Sequence, residues 1–171
     1  MRRNTLPRNH PTTPETLGFE SHDHRNCIAG SVGAAERHCA QAGVQLTPIR
    51  RRVLEILLER HQAMGAYDIL DQLREEGLRS QPPVAYRALD FLVQHGFAHK
   101  IERLNAFTAC ALPGQDHAPV FLVCRLCRAV AETVTHGQGV SEAAEIAGFE
   151  VERVVVEAEG ICPNCRPEAS A

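Results

Sequence analysis

Apolar positions recur at three- and four-residue intervals through the first hundred residues and fall into short continuous runs after them. Ile49, Val53, Ile56 and Leu57 share one helical face. Thr47 offers an N-cap and Pro48 suits a first turn, so a helix is predicted over 48–61. A helix over 31–42 precedes it and stops at Gly43, and Cys39 on that helix is assigned to packing. Ile69, Leu70 and Leu73 define a third helix over 66–75, with Tyr67, Asp71 and Arg74 turned to solvent and Gly77 as its end. After a polar turn, Pro82-Pro83 opens a fourth that carries Tyr86, Leu89 and Leu92 towards His95, where Gly96 stops it. Two helices joined by such a turn predict a helix-turn-helix. Strand-like runs over 97–101 and 106–110, either side of Arg103-Leu-Asn105, predict a hairpin behind it, the order of a winged helix.

Beyond the hairpin, 120–123 and 129–134 read as strands, 140–147 as a short helix and 151–158 as a Val-rich strand. A thin core is predicted there from Phe121, Leu122, Val130, Val134, Ile146, Phe149 and the Val154 to Val156 run. Residues 1–30, rich in Pro, Thr, Asn and His, hold too few apolar positions to offset their ordering entropy and are predicted to be a flexible tail. Its Ser21-His-Asp-His-Arg-Asn-Cys27 cluster reads as a solvated tract before it reads as a metal site. The expected fold class is α+β: an N-terminal winged helix-turn-helix domain over 31–105, followed by a small α/β domain over 106–171.

Composition changes this picture little. The 171 residues are 44% apolar and 23% charged, which is ordinary globular usage. No apolar stretch approaches the roughly 18 residues a bilayer span needs, and the basic N-terminus lacks the apolar segment of a secretory signal. The expectation is a cytoplasmic protein with no membrane partner. Charge distribution adds more: residues 1–105 hold 14 basic and 12 acidic residues, whereas 106–171 hold 4 and 9, so the two halves face different partners.

Cysteine spacing carries the chemistry. Cys124-Arg-Leu-Cys127 and Cys162-Pro-Asn-Cys165 are 34 residues apart, enough for strand, helix and strand to bring the pairs together around one tetrahedral zinc. The alternative is a thiol redox centre, which would place one pair at the start of a helix; both pairs here follow strand-like sequence, which favours structural zinc. Setting those four aside leaves His99, Cys110, His117 and Glu132 near the junction of the halves, all competent zinc ligands. On spacing alone they read equally well as a solvated wing histidine, buried apolar filler, a loop histidine and a surface carboxylate. An enzyme with Glu132 as general base would need an open coordination position, which four protein ligands do not leave, and no nucleophile triad or phosphate loop is present, so no small-molecule substrate is expected.

Thr47-Pro-Ile-Arg50, Ala66-Tyr-Asp-Ile-Leu-Asp71, Tyr86-Arg-Ala-Leu-Asp-Phe-Leu92, Gly96-Phe-Ala-His-Lys100 and the two Cys-x-x-Cys pairs together resemble the ferric uptake regulator (Fur) superfamily, in particular its zinc uptake regulator branch. The likeness runs from about Ala34 to Cys165. It implies a homodimeric, zinc-responsive repressor of zinc uptake genes that binds a double-stranded DNA operator, the second domain serving for dimerisation. Two zinc ions per chain are implied, one structural on Cys124, Cys127, Cys162 and Cys165, one regulatory on His99, Cys110, His117 and Glu132. DNA contact is implied for the helix holding Tyr86 and Arg87 and for Tyr67, and dimer–dimer contact for Asp71 and Arg74. Sensing of iron, nickel or peroxide is the alternative within the superfamily, and a thiol-based redox sensor the alternative outside it. Where many relatives have Thr-Val before the Tyr-Arg pair this chain has Val84-Ala85, and Asp116-His-Ala-Pro-Val lacks the His-x-His of the iron and peroxide branches.

On this reading Arg87 suits guanine, because a guanidinium pairs bidentately with O6 and N7. Arg50, Arg51 and Arg52 point about 100° apart and cannot all reach one backbone; Arg50, nearest the helix start, is expected at phosphate. Lys100 and Arg103 on the wing are expected at phosphate too.

Overall fold

The computed structural model describes residues 19, 24–60, 62–78, 81–113, 117, 119–134, 138–152 and 154–166. The flexibility expected of residues 1–30 falls, apart from Phe19 and the helical 24–30, outside the described residues, as do the side chains of the Ser21 to Cys27 cluster.

Four helices build the first half: α1 (His24–Ala42), α2 (Pro48–Glu59), α3 (Ala66–Glu75) and α4 (Pro82–Gln94). α1 begins seven residues before the predicted start. Ile28 continues the stripe of Val32, Ala35 and Cys39 by one more turn and packs on the same core, so the helix extends to cover it. α2 starts as predicted, with Thr47 Oγ1 accepting from the Arg50 N–H at 3.4 Å. α3 has no side-chain oxygen at its N-cap; instead the Asp68 carboxylate accepts from the Gly65 N–H at 3.0 Å. Gly43 and Gly96 close α1 and α4 at φ 67° and 70°, where a side chain would be strained. Val53, Leu54, Ile56 and Leu57 from α2 meet Ile69 and Leu73 from α3, Leu89 and Leu92 from α4, and Phe97 and Phe107 in one core; Cys39 is buried within it.

The wing is β1 (Ala98–Ile101) paired antiparallel with β2 (Ala106–Ala109), with His99 opposite Thr108. A single 3-10 turn, Glu102–Leu104, joins the two strands and ends at Asn105 in the left-handed region. The second half holds β3 (Pro119–Cys124), β4 (Val130–Val134), α5 (Gln138–Ala147) and β5 (Val156–Gly160). β3 is central, antiparallel to β4 with Phe121 opposite Glu132, and parallel to β5 with Phe121 opposite Glu157. The crossover from β4 through α5 to β5 confirms the α/β second half.

The second core differs from the predicted one. Phe121, Val123 and Val130 are buried, but against Ala63, Ile101 and Ala106 from the first half, with Leu104 packed alongside. Ile146 and Phe149 are 84% and 69% exposed, and Val151, Val155 and Val156 are exposed as well. The strand expected over 151–158 begins only at Val156 and lies at the sheet edge. An apolar run looks the same in sequence whether its own chain covers it or another chain does, and this one is left open.

Ion pairs tie the helices outside the core. Arg52 donates to Glu76 at 2.6 and 2.7 Å, to Glu59 at 2.7 Å and to Glu55 at 3.2 Å, joining α2 to the end of α3. The Glu76 pairing raises its pKa well above the ordinary arginine value although burial acts the other way. Arg51 bridges Glu36 and Glu55 on a more exposed surface. Arg52→Ala is expected to cost about 1–2 kcal/mol, more than Arg51→Ala, because three carboxylates lose a half-buried partner. Thermal unfolding of both variants checks the order.

Candidate metal centres

Cys124 ends β3 and Cys127 follows on a tight turn, closed by the Arg128 N–H donating to the Cys124 carbonyl at 3.0 Å and by Arg128 at φ 60°. Cys162 and Cys165 flank the turn after β5, and the parallel pairing of β5 with β3 brings the two turns side by side. All four sulfurs lie within 4.8 Å of one another, with Cys127 Sγ 3.6 Å from Cys162 Sγ. Backbone N–H groups of Cys127 and Cys162 aimed at Cys124 Sγ lower its pKa to about 6, while the neighbouring Cys127 and Cys162 sulfurs push Cys165 up to about 12. Crowded thiols of this kind cannot all ionise beside one another without a cation. A four-sulfur set at strand ends, with N–H donors on the sulfurs, fits structural zinc; Cys162 caps only the three-residue 3-10 turn Pro163–Cys165, not the α-helix that opens a dithiol redox motif.

The second set gathers at the seam between the halves. His99 comes from β1, Cys110 from the residue after β2, His117 from the segment before β3, and Glu132 from β4. Cys110 is held by its N–H to the Phe97 carbonyl at 3.0 Å, and Glu132 Oε2 accepts from the Ala111 N–H at 2.8 Å. Glu132 Oε1 is 2.6 Å from His117 Nε2 and 3.3 Å from His99 Nε2, and Cys110 Sγ is 3.7 Å from His117 Nε2. One ligand atom from each of the four lies within 4.8 Å of the others.

His99 Nε2 is buried, close enough to Glu132 for attraction but not aligned as a hydrogen bond, and has no hydrogen-bond partner among the described residues. A buried ring nitrogen aimed into a cluster of sulfur, nitrogen and oxygen is the donor arrangement a tetrahedral zinc takes, where ligand atoms sit about 3.3–3.8 Å apart. Burial pushes the Glu132 carboxyl up, but His99, the Ala111 N–H and His117 outweigh it and hold the group below the usual range, hence ionised. Burial, reinforced by that carboxylate, pushes the Cys110 thiol up to about 12. The residues fit zinc, and none of the bland readings left open by spacing accounts for all four converging.

The residues expected at DNA lie on the first half. Tyr67 and Tyr86 are exposed, on α3 and α4. Arg87 is exposed, its Nε donating to the Pro83 carbonyl at 3.1 Å. Arg50 lies over the Phe91 ring at 3.7 Å and donates to the Gln45 carbonyl at 2.6 Å, whereas Arg51 and Arg52 are taken up by carboxylates. Lys100 pairs with Glu102 at 2.7 Å, and Asp71 with Arg74 on its own helix at 3.1 Å. Arg103, expected at phosphate, pairs with Glu159 of β5 at 2.9 Å. Sequence reasoning passed over Glu157 and Glu159; the signal was an acidic pair two residues apart, hence on one face of a strand.

A winged helix joined to a small α/β half, with a metal-ligand cluster across the seam, defines the ferric uptake regulator architecture. The Helicobacter pylori ferric uptake regulator, 14% identical over 90% of this chain and 99% of that one, shares the fold with a TM-score of 0.51. The chain is 41% identical over 137 residues, 78% of its length and 80% of the relative's, to the zinc uptake regulation protein of Escherichia coli (strain K12). It therefore belongs to the zinc uptake regulator family. A zinc uptake regulator solved in complex with zinc and DNA superposes with a TM-score of 0.73 at 38% identity, covering 85% of this chain and 96% of that one. Holo XcZur gives 0.72 at 37% identity, covering 80% and 96%. No protein-family model matches the chain.

Proposed function

We propose that this chain is a zinc-responsive DNA-binding transcriptional repressor that acts as a cytoplasmic homodimer and represses zinc uptake genes, with residues 31–105 reading the operator and 106–171 holding metal and the second subunit. It is not an enzyme. The carrying observation is the convergence of His99 and Cys110 from the wing with His117 and Glu132 from beyond it, ligand atoms within 4.8 Å. The relatives in E. coli and in the zinc–DNA complex support the direction of the reading. Among the described residues no helix is long and apolar enough to cross a membrane.

Each residue has a role in this mechanism. His99 and Cys110 fix the wing side of the seam, while His117 and Glu132 fix the other. Zinc supplies the positive charge that thiolate, carboxylate and imidazoles jointly require in a buried place. Closing the seam sets how far apart two recognition helices lie, and major grooves on one DNA face repeat about every 34 Å. Tyr86 and Arg87 meet base edges and Tyr67 adds a further operator contact, while Arg50 and Lys100 meet phosphate. Asp71 and Arg74, both exposed, can exchange their mutual pair for one across neighbouring dimers. The open apolar set around Ile146 and Phe149 suits a second copy of the chain.

Operator binding measured across buffered free zinc tests the reading. Wild type is expected to bind about 5- to 150-fold more tightly with zinc, the span of an ordinary allosteric coupling. Cys110→Ala should lose most of that response while the four-cysteine site stays filled. Equal responses from the two proteins would overturn the assignment of the sensing site.

A further inference from the structure

The metal cluster is not the only tie across the seam. Glu157 of β5 reaches the wing tip, where its Oε1 accepts from the Glu102 N–H at 2.7 Å and its Oε2 from the Arg103 N–H at 3.1 Å. These are first-turn donors of the 3-10 segment Glu102–Leu104, groups that have no partner inside so short a turn. Two residues on, Glu159 pairs through Oε2 with Arg103 Nε at 2.9 Å. Glu157 and Glu159 lie on one face of β5, so a single edge strand grips both backbone and side chain of the wing tip. The partners are 54 to 56 residues apart in sequence, which makes this a contact between halves.

We infer that Glu157, Glu159 and Arg103 form a latch between the wing and the dimerisation half that positions the wing for operator binding, and that Arg103 serves this latch rather than a DNA phosphate. Three features of the geometry support it. A carboxylate that caps two backbone N–H groups fixes the direction of the turn and not merely its proximity. Leu104, in the same turn, packs on the seam core of Ile101, Ala106 and Phe121, so the turn that Glu157 caps is anchored on its apolar side while the latch bonds themselves lie exposed. The only arginine in the wing tip is already engaged by Glu159, and releasing it to DNA would leave an acidic pair facing the wing unbalanced. The latch and the metal cluster span the same seam from different strands, β5 and β4, so both favour the closed arrangement and each strengthens the other.

This inference rests on the proposed zinc-dependent operator binding, and the test separates the two. Glu157→Gln, Glu159→Gln and Arg103→Ala are compared with wild type for zinc affinity of the free protein against a competing chelator, for the free zinc giving half-maximal operator binding, and for the slope of log K against log salt at saturating zinc. The latch predicts about three- to tenfold weaker zinc binding without DNA and a like rise in the zinc midpoint, the scale of one lost cap or allosteric contact. It also predicts an unchanged salt slope for Arg103→Ala. A phosphate contact predicts the reverse, a slope reduced by about one with zinc affinity of the free protein unaltered. That result, or three variants that match wild type throughout, overturns the latch. Retained circular dichroism and one chelation-resistant zinc per chain establish that the variants fold; Glu159→Gln, which removes only a side-chain pair, keeps the test decisive should Glu157→Gln fail to do so. A wild type that ignores zinc in operator binding would instead overturn the proposed function, and the chelator measurement would still decide the latch.

Discussion

Cys162→Ser is expected to abolish cooperative folding of the second half. Four sulfurs within 4.8 Å hold together the end of β3 and the turn after β5, the two points where the sheet would otherwise fray. The apolar support there is thin. Phe121, Val123 and Val130 face the seam, and Ile146 and Phe149 are exposed, so little buried surface remains to replace a lost metal. Structural zinc contributes on the order of 10–16 kcal/mol of apparent folding energy in small domains, and a three-ligand site forfeits much of it. By comparison, Phe121→Ala, a cavity in the seam core, is expected to cost about 3–5 kcal/mol. Loss of the second-half transition in calorimetry, together with loss of the tightly held zinc while the helical signal of α1 to α4 persists, is the expected outcome. A single unchanged transition in Cys162→Ser would mean that the site is dispensable for folding.

The second large effect concerns protons. Burial and the adjacent Glu132 carboxylate raise the Cys110 thiol to about 12, so near neutral pH the metal-free site carries that proton. A zinc ligand must be the thiolate, so binding expels the proton, and affinity rises as pH rises. Glu132, held below its usual range, is already ionised and adds no proton in this window. Between pH 7 and 9 zinc affinity at the seam is therefore expected to climb about tenfold per pH unit from this group, a hundredfold over the interval. Cys110→Ala should flatten that slope as well as weaken binding. Competition titrations with a chelator of known proton dependence measure both, and a wild-type slope near zero would contradict a protonated thiol.

The winged helix was readable from local rules because those rules act within a few residues. Thr47-Pro48, Gly43, Gly77 and Gly96 set the ends of α1 to α4, and the stripe of Val53, Ile56 and Leu57 had one place to bury. The error at α1 has the same scale, about two turns missed because a single Ile28 decides whether the helix continues. The second half was readable as strands and a helix but not as a packing. Nothing in a run of Val154, Val155 and Val156 distinguishes a strand inside its own core from an edge strand awaiting another chain, and the structure leaves that face open.

The ligands divide along the same line. Two Cys-x-x-Cys pairs announce a four-sulfur site because each pair is local and the chemistry of four thiolates is restrictive. His99, Cys110, His117 and Glu132 had no such spacing. Ligand chemistry could nominate them and resemblance could group them, but their convergence depends on the register of β1 with β2, on Phe121 standing opposite Glu132, and on the wing packing against the sheet.

By itself, then, the order of side chains determined where α2, α3 and α4 begin and where α1 ends, that a reading head precedes a metal-holding half, and which atoms are able to bind zinc. Only the tertiary structure decided that the wing meets β5, that Arg103, though still exposed, pairs with Glu159, and that one buried His99 nitrogen lies 3.3 Å from a Glu132 oxygen. The reason is range. Caps, turns and periodicity are settled by neighbours a turn away, whereas a contact between residues far apart in sequence exists only once both cores have closed and fixed the angle between them.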